Sequence, residues 1–178
     1  MSATPSTQTQ QQDASKGDRS VLFDIEPIDL TLTCADRQKM FEMIPHREEM
    51  ALLDRIVWVN DSALKGIGAM KIKGDEFWVR GHFPGKPMLP GVLMVEAGAQ
   101  LSCYLYNCQQ KVPQLAAFLR IESAAFRRSV TTGEELYILC DVVKSSARRF
   151  ISDIQGVVDG QVCFEARIIG MSIGDIER

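Results

Sequence analysis

Apolar positions along the chain change both density and period. Up to about Ser20 there are almost none, and "MSATPSTQTQQQDASKGDRS" is rich in Ser, Thr and Gln. Such a composition cannot bury enough apolar surface to offset chain entropy. "VLFDIEPIDLTLT" reads as an extended lead-in, and the folded body is expected to begin near Asp36. Residues 1–35 are therefore assigned to a disordered or extended tail, and 36–178 to one domain. In "ADRQKMFEMI", Met40, Phe41 and Ile44 have helical spacing, and Pro45 ends the helix by driving the residue before it out of the helical region.

"ALLDRIVWVN" and "ALKGIGAMKI" are short apolar or alternating runs around Asn60-Asp61-Ser62, which predicts two strands joined by a turn. From Gly91 to about Gln110 an apolar run predicts a long helix. Glu96, Gln100 and Asn107 interrupt it, and a carboxylate at mid-bilayer costs roughly 2.5–3.5 kcal/mol, so a core helix is expected rather than a membrane span. After Leu115 the pattern lengthens into "AAFLRIESAAFRR", "ELYILCDVVKS", "RFISDIQGVV" and "QVCFEARIIGMSI". Asp159-Gly160 between the last two suits the positive φ of a tight hairpin. The C-terminal half is expected to be an antiparallel meander, and the whole an α+β fold whose sheet wraps the long helix.

Composition narrows the function classes. A chain of 178 residues with 46% apolar content can bury a full core. Its net charge of −3 offers no basic excess for a nucleic-acid backbone. Five cysteines stand far apart with no CxxC and no metal-ligand spacing, so they read as buried apolar residues in a reducing compartment, and no metal is inferred. The N-terminus lacks the apolar stretch of a secretion signal, and cytoplasmic residence is expected. No phosphate loop or dinucleotide fingerprint is present, and no cofactor is inferred.

The candidate chemistry is concentrated in "GHFPGKPMLPGVLMVEAGAQ", Gly81 to Gln100. His82, one of two histidines, sits among Gly81, Phe83, Pro84 and Gly85, a turn able to hold one imidazole in place. Residue type alone favours a surface-loop histidine. Glu96 lies about one and a half turns into the predicted helix among Leu93, Met94, Val95, Ala97 and Leu101. Burial there would raise its pKa and suit it to act as a general acid; alternatively it hydrogen-bonds Gln100, one turn on, with a purely structural outcome. The helix start after Pro90 leaves the amides of Gly91 and Val92 open to polarise a carbonyl oxygen. Base, acid and oxyanion donor together are the parts of a proton abstraction beside a carbonyl.

This stretch resembles, almost position for position, the signature of the FabZ-type 3-hydroxyacyl-(acyl carrier protein) dehydratases of the hotdog fold, including the fourteen-residue step from His82 to Glu96. "MIPHREEMALLDRI", "FLRIESAAFRRSVTTGEEL" and "VVDGQVCFEARI" resemble other parts of that family, and about 135 of the 178 residues are covered. The resemblance implies that His82 takes the α-proton of a 3-hydroxyacyl thioester, that Glu96 protonates the departing hydroxyl, and that Phe83, Gly91, Val92 and Gln100 contact substrate. It implies as partners an acyl carrier protein bearing a phosphopantetheine-linked acyl group and a second copy of the chain, with the site shared across a homodimer and three dimers forming a hexamer. A double-bond-isomerising branch of the fold carries aspartate at the position of Glu96, so dehydration alone is expected. Gly98 and Arg80 depart from the family pattern, which bears on pocket shape and acyl length.

His46 is expected to be structural, and Arg127 and Arg128 are candidates either for steering an acidic carrier or for a solvated strand face. The competing function is a catalytically silent hotdog protein that binds acyl thioesters; a thioesterase is a further alternative.

Overall fold

The computed structural model describes residues 20–176. After β1 (Ala35–Asp36), helix α1 (Arg37–Met43) starts at Asp36, whose carboxylate accepts from the Lys39 amide, and ends at Ile44, just before Pro45. A 3-10 turn (Glu48–Met50) leads into β2 (Arg55–Val59) and β3 (Lys65–Lys71). Their connection is held by Asn60, whose side-chain oxygen accepts from the amides of Leu64 and Lys65.

Helix α2 (Gly91–Cys108) follows, then β4 (Gln114–Phe126), β5 (Glu135–Ser145), β6 (Arg149–Val158) and β7 (Gln161–Asp175). The β6–β7 turn has positive φ at Asp159 (49°) and Gly160 (73°), as the Asp-Gly pair predicts. All seven strands form one antiparallel sheet in the order β1-β2-β3-β5-β6-β7-β4. The α+β expectation therefore holds, with one correction. Within the C-terminal half only β5, β6 and β7 form a meander, because α2 crosses the sheet before β4 begins and delivers β4 to the far edge beside β7.

Helix α2 packs against five strands of the sheet, β3 to β7. Twelve of its eighteen residues are buried, as expected for a helix apolar on most of its circumference and wrapped by a sheet. Leu101, Leu105 and Tyr106 are fully buried against a core that includes Ile138, Ile154 and Phe164. The helix can approach β6 this closely because Gly98 lacks a side chain: a Cβ there would lie 2.4 Å from Ile154 Cδ1. Gly98 thus serves helix-on-sheet packing.

The lead-in before Asp36 is packed, which corrects its separation from the folded body. Val21, Leu22, Phe23, Ile25, Ile28 and Leu30 lie over Val57, Ile67, Ala69, Leu139 and Val157, an apolar cluster separate from the one around α2. The Leu22 amide donates to Gln155 Oε1 at 2.8 Å. The Ser/Thr/Gln-rich segment expected to be disordered lies outside the described residues. The expectation of uniformly buried cysteines also fails: Cys34 and Cys108 are exposed, whereas Cys103, Cys140 and Cys163 are buried.

Candidate active site

His82 stands in a tight loop between β3 and α2. Its amide donates to Trp78 O at 2.7 Å, and the chain turns back at Phe83 (φ 57°) and Gly85 (φ 80°). A left-handed conformation in a phenylalanine costs about 1–3 kcal/mol, so the surrounding structure must impose it. The ring is then fixed on both sides. Its Nδ1 lies 2.9 Å from Met88 O, and the Phe83 ring packs at 4.2 Å between centroids. A carbonyl oxygen only accepts, so Nδ1 carries the proton and Nε2 presents a lone pair. That tautomer is the one a general base needs.

The His82 ring borders a cavity of about 500 Å³ shared with Phe83, Met88, Gly91, Val92 and, at the end of β4, Phe126. The N-terminus of α2 opens here, with Pro90 as its cap and no side chain satisfying its first amides. Unpaired amides at a helix start favour developing negative charge. Three of the expected substrate contacts, Phe83, Gly91 and Val92, thus gather around His82. The expected steering role of the neighbouring arginines meets an obstacle. Arg127 is paired with Glu165 and Arg128 with Glu134, so neither is a free cation.

Glu96 does not face this cavity. It lines a separate one of about 50 Å³ with His46, Ala99 and Cys103, at the β4 residues Ala116, Ala117 and Phe118. Its Oε1 accepts from Gln100 Nε2 at 2.9 Å and lies 3.3 Å from His46 Nε2. Gln100, only 1% exposed, is itself anchored to the loop before β2: its Nε2 donates to Met50 O at 2.8 Å, and its Oε1 accepts from the Leu52 amide at 3.2 Å. Gln100 therefore belongs to the support of Glu96 rather than to the His82 cavity.

The charge state of Glu96 differs from the expectation. Burial works to raise its pKa, but the hydrogen bonds from His46 and Gln100, together with the His46 charge, outweigh burial and hold the carboxyl below its ordinary value. In a single copy it rests as a carboxylate. Nearby Cys103 shows the opposite balance, its thiol being pushed up to about 12 by burial and by the Glu96 charge.

His46 is the participant that sequence reasoning placed in the scaffold. Its Nδ1 is buried without a hydrogen-bond partner, so Nε2 is the polar atom through which the ring acts, and that atom meets the Glu96 carboxylate. The available signal was scarcity: it is one of only two histidines, held in a loop by Pro45. Distance in sequence concealed the contact. Among the described residues there is no cluster of His, Cys, Asp and Glu able to hold a metal ion.

Comparison with known proteins identifies the family and the fold. Residues 44–167 match the family model described as a FabA-like domain. The chain is 36% identical over 137 residues to the 3-hydroxyacyl-[acyl-carrier-protein] dehydratase FabZ of Ralstonia nicotianae, covering 74% of this chain and 82% of that protein. It is 35% identical over 147 residues to the FabZ of Brucella melitensis biotype 2, covering 81% and 93% respectively. Among solved structures, a chain of the dehydratase heterocomplex ApeI:P from Xenorhabdus doucetiae superposes with a TM-score of 0.66 at 17% identity, over 75% of this chain and 90% of that one. At that identity the superposition speaks for the hotdog fold alone.

Proposed function

The chain belongs to the FabA-like domain family, and from that membership we propose that it dehydrates 3-hydroxyacyl groups on acyl carrier protein to trans-2-enoyl groups, in fatty acid biosynthesis or a related acyl pathway. His82 Nε2 takes a proton from C2 of the thioester. Negative charge that develops on the thioester oxygen is met by the free amides of Gly91 and Val92. As the C2–C3 double bond forms, the C3–O bond breaks and the hydroxyl leaves as water, with a proton delivered by Glu96.

The observation that carries this reading is the position of the two cavities relative to β4. The His82 cavity borders its C-terminal end at Phe126, and the Glu96 cavity borders its N-terminal part at Ala116–Phe118. On one side β4 pairs with β7; among the described residues its other edge has no partner strand, and it presents Phe118, Leu119, Ile121 and Phe126 to solvent. An open edge of this kind is a template for another strand. Pairing two copies antiparallel about Glu122 of β4 brings Phe126 of one against Phe118 of the other. That sets His82 of each copy opposite Glu96 of its partner.

The same pairing resolves the charge state of Glu96. A second copy laid over the cavity removes water from the carboxyl and pushes its pKa upward, toward the protonated form an acid needs. Until then the His46 Nε2 contact holds a donor against the same oxygen. The substrate arrives on a phosphopantetheine arm of an acyl carrier protein, and the carrier is supported by the relatives, which are 3-hydroxyacyl-[acyl-carrier-protein] dehydratases. No described helix is long and apolar enough to cross a membrane. Free cysteines accord with residence in the cytoplasm.

The test is a spectrophotometric assay for the conjugated enoyl thioester with 3-hydroxyacyl-carrier substrates. His82→Ala and Glu96→Gln should each abolish most turnover while folding normally. Mixing the two inactive variants should restore part of it, since a mixed dimer keeps one intact site. Release of free thiol without enoyl product would instead indicate a thioesterase, and full activity of either single variant would remove that residue from the mechanism.

A further inference from the structure

The Glu96 cavity is lined by more than its reactive carboxylate. From the carboxylate it runs between α2 and the sheet past the small side chains of Ala99 and Ala116 to Ile168, Gly170 and Phe150. Phe150 is 3% exposed, and its ring stacks on Tyr106 with centroids 4.6 Å apart. Tyr106 is in turn fixed by its hydroxyl, which donates to Ala147 O at 2.8 Å. Beneath the Phe150 ring the sheet is bare. Phe150 pairs across the β6–β7 ladder with Gly170, and a Cβ at that glycine would lie 2.2 Å from Phe150 Cζ. On the other side of Gly170, its β4 partner in the ladder is Phe118. One glycine between two phenylalanines thus lets an aromatic ring settle across the cavity's end.

We infer that Phe150 is the stop that sets acyl length, and that this chain takes short 3-hydroxyacyl groups. The inference rests on the dehydratase reading above, in which C3 of the substrate lies beside Glu96 and the rest of the acyl chain continues past it. An apolar cavity of about 150 Å³ accommodates one benzene-sized ring. The roughly 50 Å³ here holds about a third of that, two or three carbons. The acyl group that fits is therefore up to about five or six carbons long. Gly98, whose departure from the family pattern bore on chain length, is not part of this wall, because its missing side chain is filled by Ile154. Length is decided on β6 instead.

The experiment measures kcat/KM for carrier-bound 3-hydroxyacyl substrates from four to about ten carbons, in the wild-type protein, Phe150→Leu, Phe150→Ala and Ala99→Val. One methylene that a pocket cannot accept changes kcat/KM by roughly tenfold or more. The wild type should lose at least tenfold beyond about six carbons. Phe150→Leu and Phe150→Ala should raise the ten-carbon to four-carbon ratio by about tenfold or more, with four-carbon turnover reporting that the site is intact. Ala99→Val, which narrows the passage without touching the stop, should lower the six-carbon to four-carbon ratio. A wild type that prefers long chains, or length profiles unchanged in Phe150→Leu and Ala99→Val, overturns the inference while leaving dehydration in place. Absence of enoyl product at every length from the wild type overturns the dehydratase reading itself, and this inference with it.

Discussion

At the scale of single residues, the most informative group is His46 with Glu96 and Gln100. Two neutralising contacts converge on one carboxylate oxygen, and both come from residues tied to the loop that precedes β2. The sign of the coupling follows from the lowered Glu96 pKa. The charged form is favoured in the fold, so the pair contributes stability above the ordinary carboxylate range and loses it as pH falls through the depressed value. His46→Ala removes both the hydrogen bond and the charge and should raise the Glu96 pKa, which a carboxyl ¹³C titration of the labelled protein reads directly. It should also lower kcat about tenfold or more through loss of positioning. His46→Gln keeps an N–H donor at similar reach, so it should recover much of kcat yet leave the carboxyl titrating higher than in the wild type. Equal titration in all three proteins would show that His46 does not govern Glu96.

At the scale of elements, α2 carries the acid and the oxyanion amides of the candidate chemistry and the core as well. Its two functions use different faces. The start, at Gly91 and Val92, opens to the His82 cavity; Glu96, Ala99 and Cys103 line the second cavity; and Gly98 lies against β6. Restoring a large residue at the last position should be costly, since overpacking a well-filled core typically costs about 1–3 kcal/mol. Gly98→Met is expected to lower unfolding free energy by about that amount. Ile154→Ala in the same chain should offset part of the loss, giving a coupling of opposite sign in a double-mutant denaturation cycle. Additive effects would mean that the two residues do not compete for the same space. The helix itself was legible from its apolar run and its proline start. The place of β4 was not, because strand order depends on where α2 sets the chain down, a distance that no local pattern encodes.

At the scale of the molecule, the exposed row on β4 outweighs any single contact. Phe118, Leu119, Ile121 and Phe126 are each 45–51% exposed on one edge strand, an arrangement that natural proteins usually cover. Replacing Ile121 with lysine sets like charges close together near the proposed two-fold axis. Sedimentation should then show single copies, and dehydration should vanish although His82 and Glu96 remain in place. A monomer with normal turnover would show that each copy holds a complete site. The packed lead-in belongs to this scale too. Its extended, apolar character was visible in the sequence, yet its destination was not, since the apolar surface it covers is assembled from β2, β3, β5 and β6.

The sequence by itself determined the α2 helix, the Asp159-Gly160 hairpin, the α+β class and the chemical identity of the His82 to Glu96 stretch, because each rests on short-range periodicity, turn stereochemistry or residue type. Tertiary structure alone decided which cavity each group faces, that His46 meets Glu96, that two exposed-looking arginines are already paired, and that Phe150 lies across Gly170. Those contacts join residues from 6 to 50 positions apart, and the energy that selects them comes from packing and desolvation of the assembled chain.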